Sequence, residues 1–593
     1  VKGLSKENTE DIISLTPLQE GMLYHYLKSP SSAQYFEQLT LHLSGEIILD
    51  CFENAWDFVI ETNEALRVLF RWEEIENPIQ VVLKKSTFKM HFFDLSNEIP
   101  ENRKKMADEI IKKDIEDKFD LKHIPFRITL IRSGEKEHTL IISSHHILFD
   151  GWSSGIIVKE FLSAYDEFSR KRTPIKPVKA KFKEFIKWIQ GQDKIQGKEF
   201  WKNYLSRMED PVELSIKKNP GNKETGGATC RITLPETLRE RMEAFAISNK
   251  VTVASILYCT WGLLLHNYNN TRDVIFGTTV SGRTPAVKGI DHIVGLFINT
   301  LPLRINFSPE RNAAGITGWL THVHNEIIAR EAFEYSSIVD IQSAIGLSAG
   351  QSLFDTVVVL ENYPVPLGSW GKDSESELNV LSYSMTEGTH YDLTVGIMLS
   401  GEICLSMMYN TYTLTEADVL QLGRHFSLLL SSLLENKAGT PLDIDMLDEE
   451  EKKRIIRDFN ANCKPFPEDK TIHRLFEEQV LKTPDNIAIV DADGNLVSYS
   501  EFDCLSNRLA RTLIEEGVKP GTIIAIKMNR SLNMVITIMG ILKAGAAYLP
   551  LDPIYPRDRI DTIMNDSNAM RMISEEHPVA LAPVTQYSAP DIS

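Results

Sequence analysis

The chain has 593 residues, 42% hydrophobic and 25% charged, with a formal net charge of −18 at pH 7. This length exceeds what one hydrophobic core organises and points to roughly three or four compact units of ordinary globular composition. The negative balance disfavours a general nucleic-acid binder, and no apolar run is long enough to cross a bilayer as a helix.

In chain order, the opening "VKGLSKENTEDIISLTPLQEGMLYHYL" has neither the apolar stretch nor the small-residue cleavage site of a signal peptide. It does not begin with methionine, and the closing "YSAPDIS" completes no recognisable element, so a piece of a longer, cytoplasmic polypeptide is expected. Residues 126–147, "FRITLIRSGEKEHTLIISSHHI", predict two strands joined by a polar turn around Gly134. Residues 153–170 predict a helix with Ile156, Ile157, Phe161, Leu162, Tyr165 and Phe168 near one face, and Ser153 or Ser154 able to cap its start. The basic, proline-containing 169–185 reads as a surface linker. A second mixed segment, from about 182 to 435, includes the helical "SILYCTWGLLLHNY" (255–268) and the glycine-punctuated "VIFGTTVSGRTPAVKG" (274–289). Residues 435–455 are turn-rich and then strongly charged, a second linker, after which "TIHRLFEEQVLKTPDNIAIV" makes a new start. The six cysteines (Cys51, Cys230, Cys259, Cys404, Cys463, Cys504) are far apart, without a CxxC pair, and read as free thiols in a reducing compartment.

Chemistry concentrates in "SSHHILFDGW" (143–152), between the predicted strand end and the helix start, where free backbone N–H groups gather. Adjacent strand side chains point to opposite faces, so one histidine should serve a site and the other pack behind it. A metal site is disfavoured: after His145 and His146 the third ligand could only be Asp150, and nothing nearby supplies a fourth. The plain alternative is a pair of satisfied core histidines. A histidine here can take a proton from an attacking nucleophile or hold it in place. Asp150, expected to be buried, needs a cationic partner. Arg67, which interrupts the apolar stretch in "NEALRVLF", is the candidate, its alternative being an exposed strand residue. Gly151 allows close backbone approach, and its N–H can face a developing oxyanion. No GxSxG occurs, which favours direct transfer between two bound substrates over an acyl-enzyme.

"HHILFDG" (145–151) resembles the HHxxxDG signature of condensation domains from nonribosomal peptide synthetases. "LTPLQEGMLYH" (15–25), "KFKEFIKWI" (181–189), "IVGLFINTLPLR" (293–304) and "LFDTVVVLENYP" (353–364) resemble further motifs of that family, in order. The resemblance implies an α/β fold of two chloramphenicol-acetyltransferase-like lobes in a V, here 1–180 and 181–437. A tunnel would run between them, entered from both ends by carrier-bound thioesters. It implies His146 as the catalytic histidine, His145 as a structural one, and Asp150 as an organising residue paired with Arg67. "FGTTVSGR" (276–283) resembles the floor loop that bridges the lobes, and Trp152, Ser281, Gly282 and Asn299 are the expected tunnel residues.

After a linker at 438–470, "VSYSEFDCLSNRLA" (497–510) and "LKAGAAYLPLDPIYP" (542–556) resemble the first two motifs of adenylation domains. Residues 471–593 are thus expected to be the N-terminal part of an adenylation domain. That family's phosphate loop, its later motifs and a GGxS-type carrier serine are absent, so neither adenylate formation nor self-tethering is expected.

The implied reaction is amide formation between a donor peptidyl or aminoacyl thioester and the α-amine of an acceptor aminoacyl thioester. The resemblance implies no covalently bound cofactor: the substrates would ride on phosphopantetheine arms of upstream donor and downstream acceptor carrier domains, with the rest of the adenylation domain as a further partner. Nucleic acid and membrane are not expected partners. "LTPLQEGMLYH" is nearer the form that follows a D-configured donor residue than the form that follows an L residue. The competing readings are acyl transfer to a hydroxyl or free amine, as in related HxxxD acyltransferases, and a non-catalytic recruitment platform of the same fold. Epimerisation is disfavoured by the adenylation start, and cyclisation by the intact histidine pair.

Overall fold

The computed structural model describes residues 6–28, 34–86, 88–208, 214–217, 226–283, 286–347, 351–361, 378–399, 402–435, 439–462, 464–491 and 494–576. The chain forms two compact units, 1–454 and 455–593.

The first unit opens with β1 (Thr9–Ser14), α1 (Pro17–Lys28), β2 (Phe36–Ser44) and α2 (Leu49–Thr62). Short strands β3 (Val68–Arg71), β4 (Ile79–Leu83) and β5 (His91–Asp94) precede α3 (Pro100–Glu116). The expected hairpin follows as β6 (Phe126–Arg132) and β7 (Glu137–His145), paired antiparallel, then α4 (Gly151–Ser169). Next come α5 (Phe182–Gln190), α6 (Lys194–Tyr204), β8 (Gly227–Thr233), α7 (Thr237–Asn249) and α8 (Val253–Asn269). Strands β9 (Asp273–Val280) and β10 (Asn299–Asn306) lead to α9 (Pro309–Asn312), α10 (Gly315–Glu331) and α11 (Ile338–Ala344). The unit closes with β11 (Thr356–Glu361), β12 (Asn379–Glu387), β13 (Leu393–Met398), β14 (Cys404–Asn410), α12 (Glu416–Glu435) and α13 (Glu449–Lys453).

Two mixed sheets carry this unit, one ordered β12-β2-β7-β6-β5 and the other β10-β9-β11-β13-β14-β8. In the first, β2 and β7 bury nearly every residue, because α3 covers one face, against Ile141 and Ser143, and the core built on α2 and α4 covers the other. The Trp56 ring of α2 stacks on Phe161 of α4 at 4.4 Å, and Phe52 meets the same ring edge-on at 4.8 Å. In the second sheet, Pro302 is tolerated because β10 is an edge strand. Helix α8 is apolar all round because every residue from Ser255 to Leu265 is buried. Strand β12, from late in the chain, leaves its sequence neighbours and completes the first sheet against β2. The two halves of the unit therefore interlock.

Residues 439–454 are packed rather than free. Ile444 is buried in the core of the second sheet, and His425 of α12 lies 2.9 Å from Glu451.

The second unit holds α14 (Ile472–Lys482), the hairpin β15 (Ile487–Val490) and β16 (Leu496–Ser498), and α15 (Tyr499–Glu515). A parallel three-stranded sheet follows, with β17 (Ile523–Lys527) between β18 (Ala547–Pro550) and β19 (Arg571–Ser574). Helices α16 (Leu532–Lys543) and α17 (Arg557–Ser567) connect these strands. Ser498 and Glu501 form a capping box that starts α15. Among the described residues, no helix is long and apolar enough to cross a membrane.

Candidate active site

Strand β7 ends at His145, so the two histidines fall on either side of a structural boundary. The turn is closed by the Leu148 N–H, which donates to the His145 carbonyl at 3.0 Å. His145 is 5% exposed, and its Nδ1 accepts from the Ile147 N–H at 3.2 Å. Burial, then the neighbouring His146, pull its pKa down to about 3, so it is a neutral packing residue set edge-on to Tyr26.

His146 stands at the cavity wall with a fifth of its side chain exposed. Its Nδ1 lies 2.7 Å from Glu37 Oε1 and 2.9 Å from the Phe149 carbonyl, both acceptors, so Nδ1 carries a proton. Burial alone would lower the His146 pKa. The Glu37 charge and hydrogen bond, the Glu387 charge and the Phe149 carbonyl outweigh it and push the value up to about 9. Glu37 itself sits on β2, directly opposite Ser144 of β7 on one side and Glu387 of β12 on the other. Burial and the charges of Glu37 and Glu361 push the Glu387 carboxyl up to about 8, against the pull of His146.

Asp150 is fully buried and caps α4, a role the sequence suggests for Ser153 or Ser154. Its Oδ1 accepts from the Ser153 N–H (2.9 Å), the Ser153 hydroxyl (2.8 Å) and Arg283 Nη2 (3.1 Å), while Oδ2 accepts from the Phe297 N–H (3.1 Å). The expected pairing with Arg67 is therefore replaced. Arg67 ends the turn before β3, in the small β1-β4-β3 sheet, and pairs with Glu10 of β1 at 2.9 Å. Arg283 instead arrives from the loop after β9, beside the start of α4. It donates to the carbonyls of Ile290 (2.6 Å) and Ile293 (3.0 Å) and stacks over Phe297 and Trp152. Its loop needs Gly282, which has φ +62°, because a Cβ there would fall 1.9 Å from the Phe297 carbonyl oxygen.

His146, Asp150, Gly151, Trp152 and Ser281 line one cavity of about 290 Å³, together with Glu37, Glu361 and Glu387. Ser281, Gly282 and Asn299 line a second cavity of about 530 Å³, with Arg283, Leu18 and Ile298 shared by both. The Asn299 side-chain amide donates to the carbonyls of Glu334 and Ser336, each at 2.8 Å. Gln19 of α1 ties the N-terminal motif to the histidine turn by donating to the Ile147 carbonyl at 2.9 Å. Sequence reasoning missed Glu37, Glu387 and Arg283. The signal for Glu37 was a carboxylate inside the apolar strand "YFEQLTLHL", and Arg283 is the last residue of "FGTTVSGR".

Comparison with known proteins gives two family matches, Condensation domain over residues 9–456 and AMP-binding enzyme over 476–591. Gramicidin S synthase 2 of Brevibacillus brevis is 33% identical over 565 residues, covering 94% of this chain and 12% of that protein. Surfactin synthase subunit 2 of Bacillus subtilis (strain 168) is 33% identical over 574 residues, covering 96% of this chain and 16% of that protein. The chain thus spans a small part of the curated relatives it matches. Among solved structures, the nonribosomal peptide synthetase FmoA3 matches with TM-score 0.71 and 18% identity, over 98% of this chain and 60% of that one. The first condensation domain of the calcium-dependent antibiotic synthetase matches with TM-score 0.61 and 18% identity, over 74% of this chain and all of that one.

Proposed function

The chain belongs to the condensation-domain family of nonribosomal peptide synthetases, with the first part of an AMP-binding enzyme behind it, and from this we propose that it forms amide bonds between two carrier-bound thioesters. The α-amine of the acceptor aminoacyl group attacks the donor thioester carbonyl. The C–N bond forms as the C–S bond breaks, and the amine proton leaves with the released thiol. The substrates arrive on phosphopantetheine arms of an upstream donor and a downstream acceptor carrier domain, in the cytoplasm. On this reading, 1–180 and 181–437 are the two lobes, 439–454 pack as the last layer of the second, the connection narrows to 455–470, and 471–593 begins the adenylation domain.

One observation carries the reading: Glu37 and the Phe149 carbonyl hold His146 Nδ1, leaving Nε2 for the substrates at the cavity wall. With its pKa pushed up to about 9, His146 rests as an imidazolium near neutrality. Its Nε2–H is then a donor toward the carbonyl oxygen as negative charge develops there, beside the first-turn N–H of Gly151. An α-amine with an ordinary pKa of roughly 8 is partly neutral near pH 7, so positioning contributes more than strong-base catalysis. Trp152, Ser281, Gly282 and Asn299 are the proposed tunnel-lining residues. Asp150 and Arg283 act behind the site, fixing the loop and helix start that frame it.

The test is product formation by the purified chain with two loaded carrier proteins. His146→Ala is expected to lower the rate by about 10²–10⁴-fold while the protein stays folded. Near-normal yield from that variant would overturn the assignment. "LTPLQEGMLYH" supports the finer reading of a D-configured donor joined to an L-configured acceptor. The wrong configuration displaces either a side chain or the attacked carbonyl, and misplacement by about 1 Å can cost on the order of a hundredfold. Faster condensation of the L epimer of a non-epimerisable donor would reject that reading.

A further inference from the structure

A second histidine stands on the cavity of His146. His390, in the turn between β12 and β13, lines the same wall, with Tyr35 and Tyr391 beside it. Tyr35 ties the two histidines together. Its carbonyl accepts the His146 N–H at 2.8 Å, and its hydroxyl lies 2.8 Å from His390 Nδ1. Its own N–H donates to the Gly388 carbonyl at 2.8 Å, which fastens the turn carrying His390 to the end of β2. Tyr35 is buried and has φ +61°, a left-handed conformation that a bulky residue keeps only where its surroundings over-determine it. Such strain collects where a site must be held in one geometry.

The His390 ring is uncharged near neutrality. Burial, then the His25 ring stacked on it at 4.4 Å, pull its pKa down to about 3. A neutral imidazole has one N–H and one bare nitrogen. Among the described residues the Tyr35 hydroxyl bonds only His390, and a buried phenol gives its proton to the acceptor it has. Nδ1 is thus the bare nitrogen, and Nε2 carries the proton. No described residue bonds Nε2, and it is not one of the sealed side-chain atoms that lack a partner, so it opens on the cavity that His390 lines. An open N–H on a cavity wall recognises an acceptor, and thioester substrates bring carbonyl oxygens.

We propose that His390 is a second substrate-contacting residue of the condensation site, whose Nε2–H donates to an acyl carbonyl oxygen of a bound thioester, with Tyr35 as the positioning residue that fixes its tautomer. The proposal rests on the condensation reading and adds a contact to it. The carbonyl belongs to either the donor or the acceptor acyl group, and the experiment separates the two.

Calorimetry on the full chain measures two ketone analogues of pantetheine thioesters, with a methylene in place of sulfur. Acetylalanyl ketone, its amine capped, mimics the donor, and alanyl ketone mimics the acceptor. Each is compared with its counterpart in which the ketone is replaced by a methylene. One ketone is expected to bind about three- to tenfold more tightly than its counterpart, the range of one hydrogen bond. His390→Gln sets an amide N–H close to where Nε2–H stood and should keep most of that preference. His390→Asn reaches only to the Nδ1 position, where it still accepts from Tyr35, and should abolish it. Condensation of loaded carriers should fall in the same order, wild type, Gln, Asn. Equal binding of ketone and counterpart on both arms in the wild type would overturn the proposal. So would an Asn variant that keeps preference and rate while Gln loses both, because His390 would then only brace Tyr35. Should neither variant fold, Tyr35→Phe frees the tautomer and should weaken the preference; an unchanged preference there rejects the assignment. If no carriers condense yet one ketone keeps its preference, the condensation reading falls and the contact stands.

Discussion

Replacing Asp150 by alanine leaves the Arg283 guanidinium, 2% exposed, without its carboxylate, and a buried pair broken on one side costs about 3–5 kcal/mol. Asp150→Asn retains one oxygen acceptor for Ser153 and Arg283 and should lose less, so the melting temperatures should order wild type, Asn, Ala. Equal melting for wild type and Asp150→Ala would reject the pair. The aspartate's burial was legible in the sequence, because a carboxylate at a strand-to-helix turn has nowhere else to point. Its partner was not, since Arg67 and Arg283 are equally plain as residues and only the fold decides which loop reaches α4. The ionic couple at His146 has its own signature. Its folded pKa, about 9, lies above the ordinary 6.5, so the stability it contributes is fully present below about pH 6.5 and is lost as pH rises through about 9. Glu37→Gln should therefore destabilise strongly near pH 6 and far less near pH 10, as read from melting temperatures across that range. Glu387 works in the opposite sense from an ordinary paired carboxylate. Its value is raised from 4.5 to about 8, so the folded state holds the extra proton and stability falls as pH rises through that window. Glu387→Gln should remove that decline and melt above wild type near pH 8.

At the scale of elements, periodicity identified what is local. The β6–β7 hairpin and α4 fall where alternation and the helical stripe put them, and α8 matches the apolar run at 255–268. What periodicity does not carry is partnership between distant segments. Strand β12, whose residues are half-buried or exposed, docks on β2 from far along the chain and delivers Glu387 opposite Glu37. The same holds for the loop after β9, whose course depends on one residue. Gly282→Ala places a Cβ against the Phe297 carbonyl at a left-handed φ, so the loop must move. We expect a loss of about 1–3 kcal/mol in stability and, because Arg283 is the next residue, lower condensation at temperatures where the variant is folded. A Gly282→Ala protein with wild-type melting would show that the loop adopts another course.

The whole molecule poses the question of which part suffices for the chemistry. Every residue lining the two cavities lies before position 409, and the first unit closes at Arg454. The second unit has a core of its own, built from Phe502, Leu509, Leu513, Ile524 and Ile541, and shares none of these with the first. A chain ending at 454 is therefore expected to fold and to condense loaded carriers at a rate within a few-fold of the full chain. Where the cut falls matters more than a charged, turn-rich stretch suggests. Residues 439–454 look like a linker in composition, but Ile444 is 5% exposed in the core of the second sheet, with Leu442 and Met446 packed against that core. Glu451 accepts from the His425 side chain, which is itself 2.8 Å from the Tyr268 hydroxyl, and Arg424 pairs with Asp448. A chain ending at 437 gives up all of these. Losing one buried isoleucine costs about 1.5–3 kcal/mol. The two half-buried neighbours and the stranded His425 add to it. The shorter fragment should thus melt below the longer one by several degrees and expose apolar surface to a fluorescent dye. Identical melting of the two fragments would show that 439–454 is a connector and not the last layer of the first unit.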